Sequence, residues 1–495
     1  MDLVRGNWNH HYLRSGLVGW KISNSDPTPR LNKMAESNKL IKGLGLYGAT
    51  SVVAGTMIGT AIFVVPSMML QQVGSPFKVL EVWVFAGVLS LFGALGYAEL
   101  GAAIPEAGGE YVYLHRAYGP MMGFLYGWTQ FIVAKSASIA AIATGFLLYL
   151  AYFFPGLTGT LWSAHFAAWG HVLRPAVSGL QVGALGMIVL LSVVNILGVR
   201  GSGAVQTVFT FAKVTALAAL IVLGLLFGHG SFSHFSRAAT STVHGGLMAG
   251  VAAATISALW AYDGWNNLSM VSGEVKDPQR NMPIALIAGA LLVGIVYILA
   301  NLVYFYLLSP GAALCTSTIA ANAARSFLGR AGGDFIAVGV LISTFATLNG
   351  SILASSRIPY AQARDGLFPS VLAAVHPRFR TPVVSIVAQS TVAGIFVISG
   401  TYETLYTKAI YSEWIFYALV TASIFVLRRA KPDMPRPYKT WGYPVVPAVF
   451  VLLALVLLGG AFVETRRDAV WCLILVASGI PAYYLWKVLV GKQTR

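Results

Sequence analysis

The residues best suited to bind a ligand lie where two long apolar segments are interrupted. Residues 55–60 (GTMIGT) break the first apolar run, and residues 262–267 (YDGWNN) break the sixth. In hydrocarbon every backbone N–H and C=O group must be satisfied internally, so an unwound helix is tolerated only where it lines a cavity or a ligand. Two such breaks, five spans apart, are typical of the binding site of a secondary transporter built from inverted repeats.

The first break combines small residues with hydroxyl groups. Gly55 and Gly59 also form a G-x-x-x-G pattern, which in many proteins serves only to pack two helices. Thr56 and Thr60 lie in the same stretch and Pro66 weakens the helix further, so a ligand site is the favoured interpretation. Unwinding would free N–H groups at the start of a half-helix, whose positive dipole end attracts a carboxylate.

The second break holds an acid near the middle of its span. A carboxylate there is costly, so Asp263 is a candidate functional residue that either lies close to the substrate or caps the broken helix. The unwound carbonyl groups of residues 260–262 are suited to accept an ammonium group. Trp260 either packs in the interior or forms a lid over the substrate.

Three further charged residues fall inside apolar runs. Lys135 lies in the third run, Lys213 in the fifth and Glu413 in the tenth. Snorkelling of a long side chain toward the membrane surface explains Lys135 more readily than Lys213. Glu413 either pairs with a lysine or lines the pocket, and Asn266 beside the second break is a further candidate for a pocket or coupling residue.

The composition predicts the elements that position these residues. The chain has 495 residues, of which 57% are hydrophobic and 10% charged, and its mean hydropathy is +0.71. A typical soluble domain carries about 25% charged residues, so the sequence predicts an all-α polytopic membrane protein. Twelve runs are long and apolar enough to predict crossing helices, near residues 46–71, 79–102, 121–154, 179–200, 204–228, 246–271, 283–308, 333–359, 383–400, 405–428, 444–464 and 469–489.

The distribution of basic residues predicts the topology. The net charge of +16 follows the positive-inside rule and needs no nucleic-acid partner. Lys and Arg concentrate before residue 43, between the eighth and ninth runs and between the tenth and eleventh, so both termini are predicted to be cytoplasmic in a plasma or inner membrane. Residues 1–42 form a predicted disordered tail, with Met34 as an alternative start, and residues 490–495 a cytoplasmic C-terminus.

Two polar stretches between the runs are predicted to be helices at the cytoplasmic membrane surface. Residues 111–118 are amphipathic and follow a turn-rich segment, and residues 362–380 show a similar composition. Amphipathic helices of this kind bury one face in the headgroup region of the bilayer. No stretch of the sequence predicts a separate soluble domain.

Several other chemistries are excluded. Residues 43–48 match G-x-G-x-x-G, but no strand precedes them and an apolar run follows, so a dinucleotide site is excluded. Cys315 and Cys472 are the two cysteines, which excludes a disulfide framework and a cysteine-based metal site, and no metal or other cofactor is expected. The nine histidines are scattered, so a membrane enzyme is a weak alternative, as is an amino-acid sensor, for which no signalling domain is present.

Several motifs together resemble those of the L-amino-acid transporter family, within the amino acid–polyamine–organocation superfamily. The resemblance covers roughly residues 41–488, and it is carried by residues 55–63 (GTMIGTAIF), 97–101 (YAELG), 108–111 (GGEY), 259–266 (LWAYDGWN), 277–278 (DP), 349–351 (NGS) and 355–357 (SSR). It implies twelve helices in the LeuT-type 5+5 inverted-repeat fold and transport by alternating access. The implied transporter domain spans residues 43–489, with repeats at about 46–228 and 246–428 and two extra helices at about 444–489.

The resemblance also assigns site residues. It places the substrate carboxylate at Thr56, Met57, Gly59, Thr60 and Ala61, and the substrate amine at Trp260, Ala261 and Asp263. Lys213 would replace a sodium ion and face Thr347. Two departures stand out: Ala61 occupies a position where the family pattern has Gly, and Asp263 one where several members have Gly.

The predicted function is sodium-independent exchange of neutral L-amino acids. The alternative within transport is proton-coupled uptake of cationic amino acids or polyamines through Asp263 and Glu413. In animal members of the family, a cysteine in the loop between the third and fourth spans binds a heavy chain through a disulfide. Residues 155–178 contain no cysteine, so no such heavy chain is expected.

Overall fold

The computed structural model describes residues 42–493 apart from residues 107, 164–165, 169–170, 174–175, 198–201, 240–245, 377, 380 and 465. The predicted N-terminal tail lies outside the described residues except for residue 42, and residues 494 and 495 of the predicted C-terminal segment lie outside them too. The described chain is mainly helical, as its apolar composition predicts.

The helices are numbered in chain order. The first half of the chain contains α1 (Leu46–Met57), α2 (Ala61–Val73), α3 (Pro76–Ala103), α4 (Glu110–Tyr118), α5 (Pro120–Leu150, with a π turn at Gln130–Ala134), α6 (Gly179–Leu197), α7 (Ser202–Phe227), α8 (Gly246–Tyr262) and α9 (Asn267–Met270). The second half contains α10 (Pro278–Leu307), α11 (Pro310–Leu314), α12 (Ile319–Ser355), α13 (Arg357–Arg364), α14 (Val383–Ser399), α15 (Tyr402–Ala430), α16 (Val445–Glu464), α17 (Arg466–Ala477) and α18 (Gly479–Gln493). Helices α3, α5, α10 and α11 begin at a proline, which the first helical turn accepts because its N–H groups have no partner inside the helix.

Many of these helices have the length and composition of membrane spans. In the described part of the chain, nine stretches qualify: α1–α2, α3, α5, α6, most of α7, α10, α12–α13, α15 and α17–α18. Three shorter apolar helices are α8, α14 and α16. Each predicted apolar run overlaps at least one of these helices, and the chain is a multi-pass membrane protein.

Two of the predicted spans are broken, and both breaks fall where the sequence predicts them. Helix α1 ends at Met57 and α2 begins at Ala61, so residues 58–60 leave the helical path. Helix α8 ends at Tyr262 and the short helix α9 begins only at Asn267. Gly264, between α8 and α9, has a φ of 112°, a backbone conformation that a residue with a side chain rarely adopts.

The helices form two packed groups around the breaks. In the first group α10 packs along α3 and α1, while α8 packs on α2 and α3. In the second group α5 packs on α6, α12 and α14, and α6 also contacts α12 and α14. Helix α7 contacts α1, α10 and α12 and so lies between the groups, which makes it a bridge from one broken helix to α12.

The segments between the helices differ in part from the predictions. Helix α4 matches the helix predicted at residues 111–118, whereas the prediction of one similar helix over residues 362–380 is wrong. There α13 ends at Arg364 and a single 3₁₀ turn covers Ser370–Ala373, because Gly366 with a φ of 75° ends the helical path. The sequence analysis also missed four short strands, Thr160–Ser163, Phe166–Ala168, His171–Leu173 and Ala176–Ser178, which pair first with fourth and second with third in antiparallel order.

Candidate functional site

A cavity of about 190 Å³ lies where the two breaks meet α5 and α12. Both breaks, one face of α5 and the last turns of α12 line it, so four separate parts of the sequence converge on one space. The lining residues are Val52, Gly55, Thr56, Met57, Gly59, Thr60 and Ala61 from α1 and α2; Lys135, Ser138 and Ile142 from α5; Trp260, Asp263, Gly264, Asn267, Met270 and Val271 from the second break; and Ala346, Thr347, Gly350, Ser351, Ala354 and Ser355 from α12.

The carbonyl groups at the first break are satisfied by side chains from other helices. The ammonium of Lys213 on α7 donates to the carbonyl oxygens of Gly55 and Ile58, at 2.9 and 3.0 Å, and to the Thr347 hydroxyl at 3.0 Å. Lys213 is only 4% exposed. These three oxygen atoms are all formally neutral, so the ammonium is a fixed positive charge held by dipoles, next to the negative end of the α1 dipole.

The start of α2 lies at the cavity and has no side-chain cap among the described residues. Thr60 occupies the N-cap position, and no side chain in the described chain caps this helix. Ala61 begins the helix and lines the cavity. The first N–H groups of a helix have no partner within it and sit at the positive end of its dipole, which makes this helix end suited to an anionic group of a ligand.

The two breaks touch each other directly. The Thr56 hydroxyl oxygen lies 2.8 Å from the carbonyl oxygen of Gly264 and at the same distance from that of Val52, one turn earlier in α1. Gly264 has a φ of 112°, and a Cβ placed there would lie 2.9 Å from the carbonyl carbon of Thr56. The close approach therefore needs glycine twice over, for its backbone conformation and for its lack of a side chain.

One tyrosine on α10 joins the ends of both broken helices. The Tyr297 hydroxyl lies 2.7 Å from the carbonyl oxygen of Met57, at the end of α1, and 3.1 Å from that of Ala261, near the end of α8. Ala261 does not line the cavity, and its carbonyl faces Tyr297 instead. The sequence analysis missed Tyr297 because nothing in its spacing relates it to either break.

The acid at the second break belongs to a buried cluster of charged groups. Asp263 lines the cavity, and its Oδ1 accepts a hydrogen bond from Tyr417 on α15 at 2.5 Å. The same hydroxyl lies 2.8 Å from Oε2 of Glu413, whose Oε1 lies 2.7 Å from the ammonium of Lys135. Lys135 therefore does not snorkel, and Glu413 pairs with a lysine rather than lining the cavity.

Trp260 lines the cavity and is held by aromatic neighbours. Its indole N–H donates to the Tyr402 hydroxyl at 3.1 Å, and its ring stacks on Tyr406 with 6.0 Å between ring centroids. The Tyr406 hydroxyl lies 2.8 Å from that of Ser257, so a further polar layer follows behind the tryptophan. The lining also includes Val52, which lies one turn before Thr56 toward the start of α1.

Asn266 points away from the cavity. Its amide donates to Oε1 of Glu110 on α4 at 3.1 Å, and that carboxyl also accepts hydrogen bonds from Tyr97 at 2.7 Å and from Tyr126. Glu110 is fully buried, and burial raises its pKa although the Tyr126 and Tyr97 hydroxyls oppose that rise. Asn266 thus fixes the turn of the second break to α4 and is not part of the cavity wall.

The structure brings most of the predicted site residues together. Seven of the eight predicted substrate-binding residues line the cavity, as does Thr347, while Lys213 lies one contact behind it. The α12 residues Gly350 and Ser351 belong to a motif that the sequence analysis used only for the family resemblance, and small residues on a long helix give no other signal. Within the described residues, no three of His, Cys, Asp and Glu come close enough together to hold a metal ion.

Comparison with known protein families agrees with this geometry. The profile of the family described as amino acid permease matches residues 44–484, nearly the whole described chain. The chain belongs to the amino acid permease family. The resemblance to L-amino-acid transporters that the sequence motifs carry is thereby confirmed.

Relatives of this permease occur in bacteria and animals. It is 32% identical to the serine/threonine exchanger SteT of Bacillus subtilis (strain 168) over 452 residues, which are 91% of this chain and 98% of the relative. It is 31% identical to the human b(0,+)-type amino acid transporter 1 over 476 residues, 95% of this chain and 93% of the relative. It is also 32% identical to the human large neutral amino acids transporter small subunit 2 over 476 residues, 93% of this chain and 83% of the relative.

Proposed function

We propose that this permease is a sodium-independent exchanger of neutral L-amino acids. The observation that carries the proposal is the meeting of two broken helices at one cavity, with an uncapped helix start on one side and an acid on the other. One of the reported relatives is named as an exchanger and two as amino acid transporters, which points to transport rather than to an enzyme.

The substrate would bridge the two breaks. Its carboxylate would lie at the start of α2, where the N–H groups near Thr60 and Ala61 and the helix dipole favour an anion. Its ammonium would lie at the negative end of α8, near Trp260 and Asp263. Met57 and Gly59 would shape the floor between these two points, since both line the cavity.

Lys213 would remove the need for sodium. Its ammonium joins two carbonyl oxygens of the first break to a hydroxyl of α12, and a cation held by oxygen dipoles could do the same. A covalently attached cation cannot leave with the substrate, so no sodium gradient would be coupled to transport. Thr347 would thus act as the anchor of Lys213 on α12.

Transport would proceed by alternating access. The fold would be the LeuT-type 5+5 inverted repeat with twelve spans, and the group formed by α1–α2, α3, α8–α9 and α10 would rock against the group formed by α5, α6, α12 and α14. With both termini cytoplasmic in the plasma membrane, the cavity would extend toward the cytoplasm along α1, and Trp260, which lines it, would close it on the outer side. The absence of cysteine from residues 155–178 favours a permease that works without a disulfide-linked heavy chain.

The test is counterflow in proteoliposomes. Purified permease is reconstituted in sodium-free buffer, and uptake of a panel of radiolabelled amino acids is measured with and without unlabelled amino acid inside. We expect uptake of neutral amino acids only when the vesicles contain substrate. Equal uptake into empty vesicles under an imposed proton gradient would contradict exchange and favour symport.

A further inference from the structure

A second and larger cavity, here termed the outer groove, lies away from the two breaks. Its volume is about 1140 Å³, against about 190 Å³ for the substrate cavity, and residues of α5, α6, α14, α15 and α17 line it. It lies where α6, α15 and α17 begin, which is the outer side of the membrane in the proposed topology. Tyr402, which accepts the indole N–H of Trp260, is part of its wall.

The outer groove is long and mainly apolar away from the helix starts. On α5 its lining runs from Leu148 back to Val133, about 22 Å along the helix, and on α17 from Arg467 to Leu475, about 12 Å. Phe396 of α14 lines it on another side. The hydrocarbon of one leaflet is about 15 Å deep, half that of the bilayer, so the groove has the length of a lipid chain. A free amino acid would fill only a small part of it.

Four charged residues line the groove, two basic and two acidic. Lys408 and Asp468 pair with each other at 3.6 Å, so this pair is neutral and leaves no charge for a ligand. Arg467 forms no ion pair within the described part of the chain. Glu403 accepts a hydrogen bond from the neutral amide of Gln72 at 3.0 Å and likewise has no cationic partner among the described residues. One cation and one anion, both on exposed residues, therefore remain for a ligand.

We propose that the outer groove binds one phospholipid of the outer leaflet whose headgroup carries a phosphate and a primary ammonium. The phosphate lies at Arg467, the ammonium lies at Glu403, and one acyl chain follows α5 between α14 and α17. Both unpaired charges are matched only by a headgroup that carries both signs. A primary ammonium fits better than a quaternary one, because its N–H groups donate to a carboxylate and a quaternary ammonium has none.

The lipid lies against residues that join α15 to the broken helices. Tyr402 binds Trp260 at the end of α8, and Glu403 binds Gln72 near the end of α2. The start of α15 is therefore held by the carrier on one side and by the lipid on the other. The proposal concerns binding, so it does not depend on which amino acid is exchanged or on how exchange is driven.

The experiment measures lipid binding to the purified full-length permease by native mass spectrometry. The protein is stripped of lipid in detergent and titrated with phosphatidylethanolamine, phosphatidylglycerol or phosphatidylcholine of identical acyl chains. We expect one phosphatidylethanolamine to bind about tenfold more tightly than either other lipid, the difference that one hydrogen bond to a charged group supplies. O-phosphoethanolamine, the same headgroup without chains, should not displace it.

Two substitutions separate the two ends of the headgroup. Glu403→Gln removes the charge at the ammonium, so phosphatidylethanolamine and phosphatidylglycerol should bind equally. Arg467→Gln removes the charge at the phosphate, so both lipids should bind about tenfold more weakly. The matched controls are Glu81→Gln on α3 and Arg466→Gln on α17, because both residues are exposed and neither lines the groove. Both controls should keep the preference of the wild-type protein.

Several results would overturn the proposal. One is equal binding of the three lipids by the wild-type permease, and another is an unchanged preference in Glu403→Gln. Displacement of the lipid by O-phosphoethanolamine would show that the groove binds the headgroup alone, and displacement by a neutral amino acid would make it a second amino-acid site. If a variant does not insert, the preference of the wild-type protein and the two displacement measurements decide.

Discussion

The two breaks are alike in backbone and opposite in electrostatics. The first, at residues 58–60, has no ionisable side chain of its own and receives a lysine from α7 that touches only neutral oxygen atoms. The second carries Asp263 and draws in a second acid, a tyrosine and another lysine from α5 and α15. Both use a buried ammonium, but one of them is bound by dipoles and the other by a carboxylate.

Because of this difference, we expect Lys213 and Lys135 to have different roles. The ammonium bound by dipoles stabilises the first break, since removing it leaves two carbonyl oxygens without a donor. An ammonium within a pair of acids takes part in a charge balance that a proton or a ligand can shift. The same residue type therefore satisfies backbone carbonyl groups at one break and offsets the charge of an acid at the other.

The largest effect should come from removing the charge at the first break. Lys213→Ala leaves the Gly55 and Ile58 carbonyls and the Thr347 hydroxyl without their donor, at about 1–3 kcal/mol each. We expect exchange in the counterflow assay to fall by about 100-fold or more, which corresponds to about 2.7 kcal/mol. Lys408→Ala is the control, because that lysine is partly buried on α15 but pairs with Asp468. Wild-type exchange by Lys213→Ala would show that the first break does not depend on a fixed cation.

At the second break, we expect the loss of Lys135 and the loss of Glu413 to differ in their effect on stability. Lys135→Gln leaves two acids without a cation and should lower the free energy of unfolding by about 3 kcal/mol, the cost of breaking a buried ion pair. Glu413→Gln leaves Lys135 with Asp263 and should cost only about 1 kcal/mol, that of a weakened hydrogen bond. Melting temperatures of the two purified variants, measured in the same detergent, test which variant is the less stable. A lower melting temperature for Glu413→Gln than for Lys135→Gln would contradict the charge balance.

The contact between the two breaks can be tested with a substitution whose expected effect is smaller. Gly264→Ala places a methyl group 2.9 Å from the Thr56 carbonyl carbon and forces a strained φ, so the breaks must separate. We expect exchange to fall about tenfold, equivalent to about 1.4 kcal/mol. Gly294→Ala on α10 is the control, because the nearest atom to its added methyl group is a ring atom of Tyr262 at 4.0 Å. Equal activity of the two variants would mean that the breaks need not touch.

The smallest effect should follow from Tyr297→Phe, which affects both breaks at once. The variant removes one hydroxyl that lies near the Met57 and Ala261 carbonyls, at a cost of about 1 kcal/mol, so exchange should fall about fivefold. Tyr304→Phe, two turns along the same helix, removes a buried hydroxyl that has no hydrogen-bond partner among the described residues, and should leave exchange unchanged. A similar loss in both variants would place the effect in the packing of α10 and not in the breaks.

The sequence predicted the breaks because their causes are local. Glycine, hydroxyl and acidic residues inside an apolar run are visible in a single stretch, and the structure interrupts both helices there. Lys213 facing Thr347 came from the family resemblance, and the distance of 3.0 Å agrees with it. Helix α4 likewise follows from an amphipathic pattern within nine residues.

The partners of Lys135 and Glu413 could not be predicted in this way. The two residues are far apart in the sequence, and they meet only because α5 packs against α15. Asn266 shows the same limit, since its neighbour Asn267 lines the cavity while Asn266 turns to Glu110 on α4. At a break the helical repeat no longer tells which of two adjacent side chains faces inward, so only the tertiary structure decides.

The arrangement of the cavity wall has a consequence for inhibitors. Tyr297 ties both breaks to α10, whereas Thr347 and Ser351 belong to α12 in the other packed group. In the proposed rocking motion, a molecule that binds only the breaks would travel with its own half of the carrier. A molecule extended by a group that also holds Ser351 would cross the boundary between the two halves and stop the cycle. The length of a molecule across that boundary, more than its affinity for the breaks, would then decide whether it inhibits the carrier or is transported.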